Sequence, residues 1–193
     1  MANKKDSTPE PSQFGILFVY ILLGCLISFS TGREPGTLPN EILFEVAPTI
    51  VVISAFLVSY SVWDVMAVGL AKARHGVFKS YKDLPNRMPE EVFLAQRVQT
   101  NQVEQLPVFL VGILACAVLV NGTVAAVLGS IWAMLRRIYA SVYRNSVGIP
   151  FADIGLQKYT IPCYFISNSM LMAAAVQSIR HMIQVLTVPD MAI

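Results

Sequence analysis

The stretch Arg97-Val98-Gln99-Thr100-Asn101-Gln102-Val103-Glu104-Gln105-Leu106-Pro107 runs without a break into the apolar Val108–Val120. Arg97, Asn101 and Glu104 fall at i, i+4 and i+7, so they share one helical face. A charge at the centre of a membrane helix costs roughly 2.5–3.5 kcal/mol, and less near its end. A chain tolerates that cost where the groups pair with each other or with a polar ligand, and the residues alone leave both readings open. Upstream, Met88-Pro89-Glu90-Glu91 has the marks of a helix start: Pro near the first position and acids in the first turn. The spacing predicts one long helix from about Pro89 through Val120. Pro107 should kink it and free the carbonyl of Val103.

The rest of the chain fits a membrane setting. Its 193 residues are 55% hydrophobic and 13% charged, with a net charge of +2 and a mean hydropathy of +0.59. Soluble domains carry about 25% charged residues. The near-neutral balance offers no nucleic-acid surface. Four further apolar segments flank the long helix: Phe14–Ser30, Val46–Leu70, Val124–Tyr143 and Ile161–Val188. A spanning helix needs about 20 residues. Segments two, four and five meet that length alone, and the third meets it if its helix begins near Pro89. The expected fold is an all-α integral membrane protein. It divides into a polar tail (1–13), an extra transmembrane helix (14–30) and a four-helix domain (42–188).

Lysine and arginine set the expected orientation. With the N-terminus inside and each segment crossing, Lys4, Lys5, Lys72, Arg74, Lys79, Lys82, Arg87, Arg136, Arg137, Arg144 and Lys158 all fall on the inner side. Only Arg33 falls outside, and Arg97 and Arg180 lie within helices. The N-terminus and the 72–91 loop are thus expected on the cytosolic or equivalent inner side of a multi-pass protein. A signal peptide at Phe14–Ser30 is disfavoured, because a long Pro-containing segment precedes it and no small-residue cleavage site follows.

Other polar residues carry weaker signals. Asp64 lies about two turns from the inner end of segment two, at the depth of Arg97 or Arg136; a structural ion pair and a ligand role are equally open. Arg180 and His181 near the outer end of segment five read as snorkelling residues. Cys25, Cys116 and Cys163 sit in apolar runs without ligand spacing and read as buried small hydrophobes, so no metal is expected. Arg136, Tyr139 and Tyr143 share a face at i, i+3 and i+7. They suit an interfacial belt, or a site facing the Arg97 stripe at the same depth.

Arg97-x-x-x-Asn101-x-x-Glu104-x-x-Pro107 resembles the second-helix signature of the MAPEG family, the membrane-associated proteins in eicosanoid and glutathione metabolism. Arg136-x-x-Tyr139-x-x-x-Tyr143 is similar to that family's third-helix motif, and Lys72-Ala73-Arg74-His75-Gly76 to the basic exit of its first helix. The resemblance covers about Val46 to Val188, with Phe14–Ser30 as an addition to the usual four helices. It implies a microsomal glutathione transferase-like homotrimer, with glutathione as co-substrate held between subunits at the inner membrane face. By the same resemblance, Arg97, Gln99, Asn101, Glu104, Arg136, Tyr139, Tyr143 and Arg74 would bind glutathione, and Arg144 and Tyr143 would serve catalysis. Glutathione has two carboxylates and one ammonium, so a site with both charge signs suits it.

Two departures from the family pattern stand out. Gln105 follows Glu104 where several members have Tyr. The family's thiol-activating arginine, usually a short way past the second Tyr, is missing unless Arg144 or Arg74 substitutes. Two functions follow. One is a glutathione-dependent transferase or peroxidase acting on lipophilic electrophiles. The other is a non-catalytic binding or structural subunit of a larger membrane assembly.

Overall fold

The computed structural model describes residues 12–31, 40–77 and 88–187, without the side chains of 24–31, 40–44 and 185. The polar tail up to residue 11, the centre of the basic loop (78–87), Val188 and the Cys25 side chain lie outside the described residues.

All regular structure among the described residues is helical. Helix α1 spans Gln13–Thr31. Helix α2 (Asn40–Tyr60) passes through a π-turn at Ser61–Val65 directly into α3 (Met66–Arg74). Helices α4 (Glu90–Leu119), α5 (Gly122–Arg144) and α6 (Gln157–Thr187) complete the bundle. The long helix expected from Pro89 is present as α4, continuous across Pro107.

Local chemistry explains the ends. After α3, Gly76 takes a positive φ of 67°. Its N–H donates to the Ala73 carbonyl while that of Val77 donates to Lys72, closing a Schellman motif. At the opposite end, the Asn121 side chain accepts from the Val124 N–H at 2.9 Å and caps α5. Gly122 is needed there, because a Cβ would fall 1.7 Å from the Glu45 carbonyl oxygen of α2. The Glu45 carboxylate accepts from the Gly122 N–H at 2.7 Å, tying the two helices together.

The core lies between α2, α4, α5 and α6. Trp132 stacks on Phe109 with ring centroids 3.8 Å apart, and Phe56 meets Trp132 edge-on at 5.0 Å. The surface inverts the usual pattern. Phe165 is 70% exposed and Val118 67%, while Asp64, Gln102 and Arg136 are fully buried. Water would not favour that arrangement, but hydrocarbon does. Two stretches, Glu45–Arg74 and Glu90–Leu119, are each 30 residues long and apolar enough to span a bilayer. Helices α5 and α6 have the length, 23 and 31 residues, with a more polar composition.

The extra helix α1 touches the bundle at its N-terminal end, where Phe14 meets Trp63 of the π-turn edge-on at 6.2 Å. Arg74, Glu90, Glu91, Arg144 and Asn145 gather at this same end, with Arg74 bonded to Glu91 at 2.8 Å and the Gly148 N–H to Glu90 at 3.0 Å. It is the basic end of the bundle.

Candidate functional site

Helix α4 presents two different polar faces. Its inner face carries Gln102 and Gln105, both buried. Its outer face carries Arg97 and Glu104, both exposed, and Asn101 stands half-buried between the two.

The inner face joins a buried network, in which Arg136 Nη1 and Arg137 Nη1 have no hydrogen-bond partner among the described residues. The Arg136 Nε donates to Gln102 Oε1 at 2.6 Å, and its Nη2 donates to Asn101 Oδ1 at 2.7 Å. The Gln102 amide then donates to the Arg136 carbonyl at 3.3 Å and to Asp64 Oδ2 at 3.4 Å. Asp64 Oδ1 accepts from Arg137 Nη2 at 2.6 Å and from Arg144 Nη1. Arg144 Nη1 also donates to the Trp63 carbonyl at 2.6 Å. The π-turn explains that last bond: it replaces the i→i+4 pattern by an i→i+5 bond from the Met66 N–H to Ser61. Carbonyls in such a turn become available to outside donors.

Asp64 is thus paired, but with Arg137 and Arg144. The expectation of Arg97 or Arg136 at its depth is corrected, although Gln102 links it to Arg136. The reason is the rotation of α5. Arg137 and Arg144, seven residues apart, face α2, whereas Arg136, Tyr139 and Tyr143 face α4 and α6. The Arg136 guanidinium lies 4.7 Å from the Tyr139 ring centre and 5.8 Å from that of Trp132. Tyr139 and Tyr143 meet edge-on at 5.8 Å and pack with Leu94, Val98 and Leu156. Gln105, placed where the motif often has Tyr, donates to the Tyr164 hydroxyl of α6 at 2.8 Å.

The stripe behaves otherwise. Among the described residues, neither Arg97 nor Glu104 has a hydrogen bond or an ion pair within the subunit, so the internal Arg97–Glu104 pair is absent. Gln99 lies beside the Tyr60 hydroxyl. Arg74 pairs with Glu91 at the basic end. The structure therefore joins Asn101, Arg136, Tyr139 and Tyr143, and leaves Arg97 and Glu104 open on the adjoining surface. Sequence reasoning missed Gln102 and Arg137. Gln102 lies off the polar stripe, one residue past Asn101. The i, i+7 spacing of Arg137 and Arg144 was the available signal that they share a face.

The MAPEG family model matches residues 47–179, and the chain belongs to this family of membrane-associated proteins. The match includes both polar motifs and leaves α1 outside. The chain is 39% identical over 80 residues to an uncharacterized protein of Synechocystis sp., a match covering 41% of this chain and 55% of the relative. The chain thus spans about half the length of that relative. No solved structure matches. Family membership makes a membrane setting and a relation to glutathione or eicosanoid chemistry the general frame for the site.

Proposed function

We propose that this chain is a glutathione-dependent transferase or peroxidase for lipophilic electrophiles, working as a homotrimer with glutathione bound between subunits at the inner membrane face. One observation carries the reading. Arg97 and Glu104 stand open on the outer face of α4, next to Asn101 and the Arg136 network. Opposite charges at a membrane boundary call for a partner, and the described residues of the subunit supply none. Glutathione offers that complement: a carboxylate for the Arg97 fork and an ammonium for Glu104. Asn101 and Gln99 would contact the peptide, and Tyr139 and Tyr143 would cover it. Arg136 holds Asn101, and Arg74 lies at the same end of the bundle.

A thiol of ordinary pKa near 8.5 is a few per cent ionised at neutral pH, and a nearby guanidinium raises that fraction. Arg144, with Tyr143, is the candidate for this role. The thiolate sulfur attacks the electrophilic carbon and an S–C bond forms. The leaving group, or an opened ring oxygen, departs with the electron pair and is protonated. Reduction of a lipid hydroperoxide instead consumes two glutathiones and gives alcohol, water and the disulfide. The bilayer delivers the apolar substrate laterally, and the site supplies proximity.

The non-catalytic reading has its own support, because Arg144 is already committed to Asp64 and Trp63. The deciding experiment is glutathione-dependent consumption of a generic aromatic electrophile by the purified protein. Turnover that falls in Arg97→Ala supports the enzyme. Glutathione binding without turnover supports the non-catalytic subunit. The orientation is checked separately: a Ser80→Cys variant should resist labelling from the outer side of the membrane, and efficient labelling there would invert the topology.

A further inference from the structure

Away from the Arg97 stripe, a groove of about 730 Å³ runs between α2 and α5. It exists because small residues face each other there: Ala55 and Ser59 on α2, Ser130 and Ala133 on α5. Its walls are apolar and open sideways, with Val51 66% and Met134 58% exposed. Trp63, Arg137 and Arg144 close its basic end.

The charges at that end do not balance. Two guanidiniums share one carboxylate, that of Asp64. Among the described residues, the only other acceptor given to them is the neutral Trp63 carbonyl, and Arg137 Nη1 is buried without a partner. Among the described residues, one positive charge is left over at this end of the groove. Basic pockets between membrane helices meet such an excess with a lipid phosphate.

We propose that this groove is a binding site for an anionic phospholipid. One acyl chain lies along the apolar channel, and the phosphate accepts from the partly exposed Arg137 side chain at the mouth of the groove, with Arg144 beside it. Arginine suits this role because its fork can donate two parallel bonds to phosphate oxygens. Asp64 is a positioning residue here: it holds both arginines at the mouth of the groove and cancels one of their charges.

The test uses the purified full chain in neutral detergent. Phosphatidylglycerol and phosphatidylcholine of matched acyl chains are added separately, with inorganic phosphate as a third arm. Lipid retention is read by native mass spectrometry and stability by thermal unfolding. Phosphatidylglycerol should stay bound and raise the melting temperature, while phosphatidylcholine should do so far less. Arg137→Gln should cut retention of phosphatidylglycerol about fivefold, the loss of one basic contact to an anionic headgroup. Ala133→Leu fills the channel and keeps both arginines in the chain, and it should cut retention while leaving the helical content unchanged. Equal retention of the two lipids would overturn the proposal. So would full stabilisation by inorganic phosphate alone, or a Val51→Cys/Met134→Cys protein that cross-links between subunits through the groove. If Arg137→Gln does not fold, Ala133→Leu decides: unaltered lipid retention in that variant rejects the site.

Discussion

The Asp64 cluster and the Arg97 stripe lie at neighbouring depths on packed helices, yet they solve the problem of charge in an apolar setting in opposite ways. Asp64 is fully buried, and both of its carboxylate oxygens accept bonds from α4 or α5. Arg97 and Glu104 are exposed and have no hydrogen bond or ion pair among the described residues. The first arrangement holds a bundle together. The second presents charges to something outside the chain. The difference separates charges that are paired inside the subunit, with the arginine excess of the Asp64 cluster left at the groove mouth, from charges that are wholly open to a ligand or a neighbouring subunit, and composition treats both alike.

The largest expected effect breaks the closed cluster. Asp64→Ala would leave Arg137 and Arg144 without their shared carboxylate, and removing one partner of a buried ion pair costs about 3–5 kcal/mol. Thermal or denaturant unfolding in detergent should show a loss of that order. A change under about 1 kcal/mol would mean that water or lipid already meets those charges.

Next comes the open stripe. Sequence pairing alone would have Arg97→Ala unfold the protein as well as weaken ligand binding. With no internal partner to strand, Arg97→Ala should leave the melting temperature nearly unchanged. Glutathione affinity should fall by about tenfold or more, as for loss of a charge-assisted hydrogen bond worth about 1.5–3 kcal/mol. Isothermal titration beside thermal unfolding separates the two. Destabilisation as severe as that of Asp64→Ala would erase the distinction between the regions.

Arg144 tests the border between them, since it belongs to the closed cluster and is also the candidate thiolate partner. Arg144→Ala should reduce turnover more than glutathione affinity if its charge acts on the reactive sulfur. A loss of stability alone, with turnover per folded protein unchanged, would assign it to the fold. The smallest effect belongs to Arg180, exposed and, among the described residues, bonded only to Gln177 at 3.3 Å. Arg180→Ala should change neither the melting temperature nor glutathione binding, and a clear change in either would reveal a third polar region.

The sequence by itself determined the helices and the order of the polar motifs. Apolar runs and the Glu90-Glu91 start are local signals, and a helix obeys them whatever packs against it. Periodicity also grouped Arg136, Tyr139 and Tyr143 on one face of α5, where the structure has them buried together. Which face meets which neighbour was decided only by tertiary structure. The stack of Trp132 on Phe109 and the edge contact with Phe56 fix the rotation of α5. That rotation sends Arg136 toward Gln102 and Arg137 toward Asp64, although they are adjacent in the chain. The π-turn at Ser61–Val65, which gives Arg144 a carbonyl to bind, has no sequence mark of its own. Spacing within a helix fixes neighbours along it, but partners across a bundle depend on how large side chains interlock, which no single helix encodes.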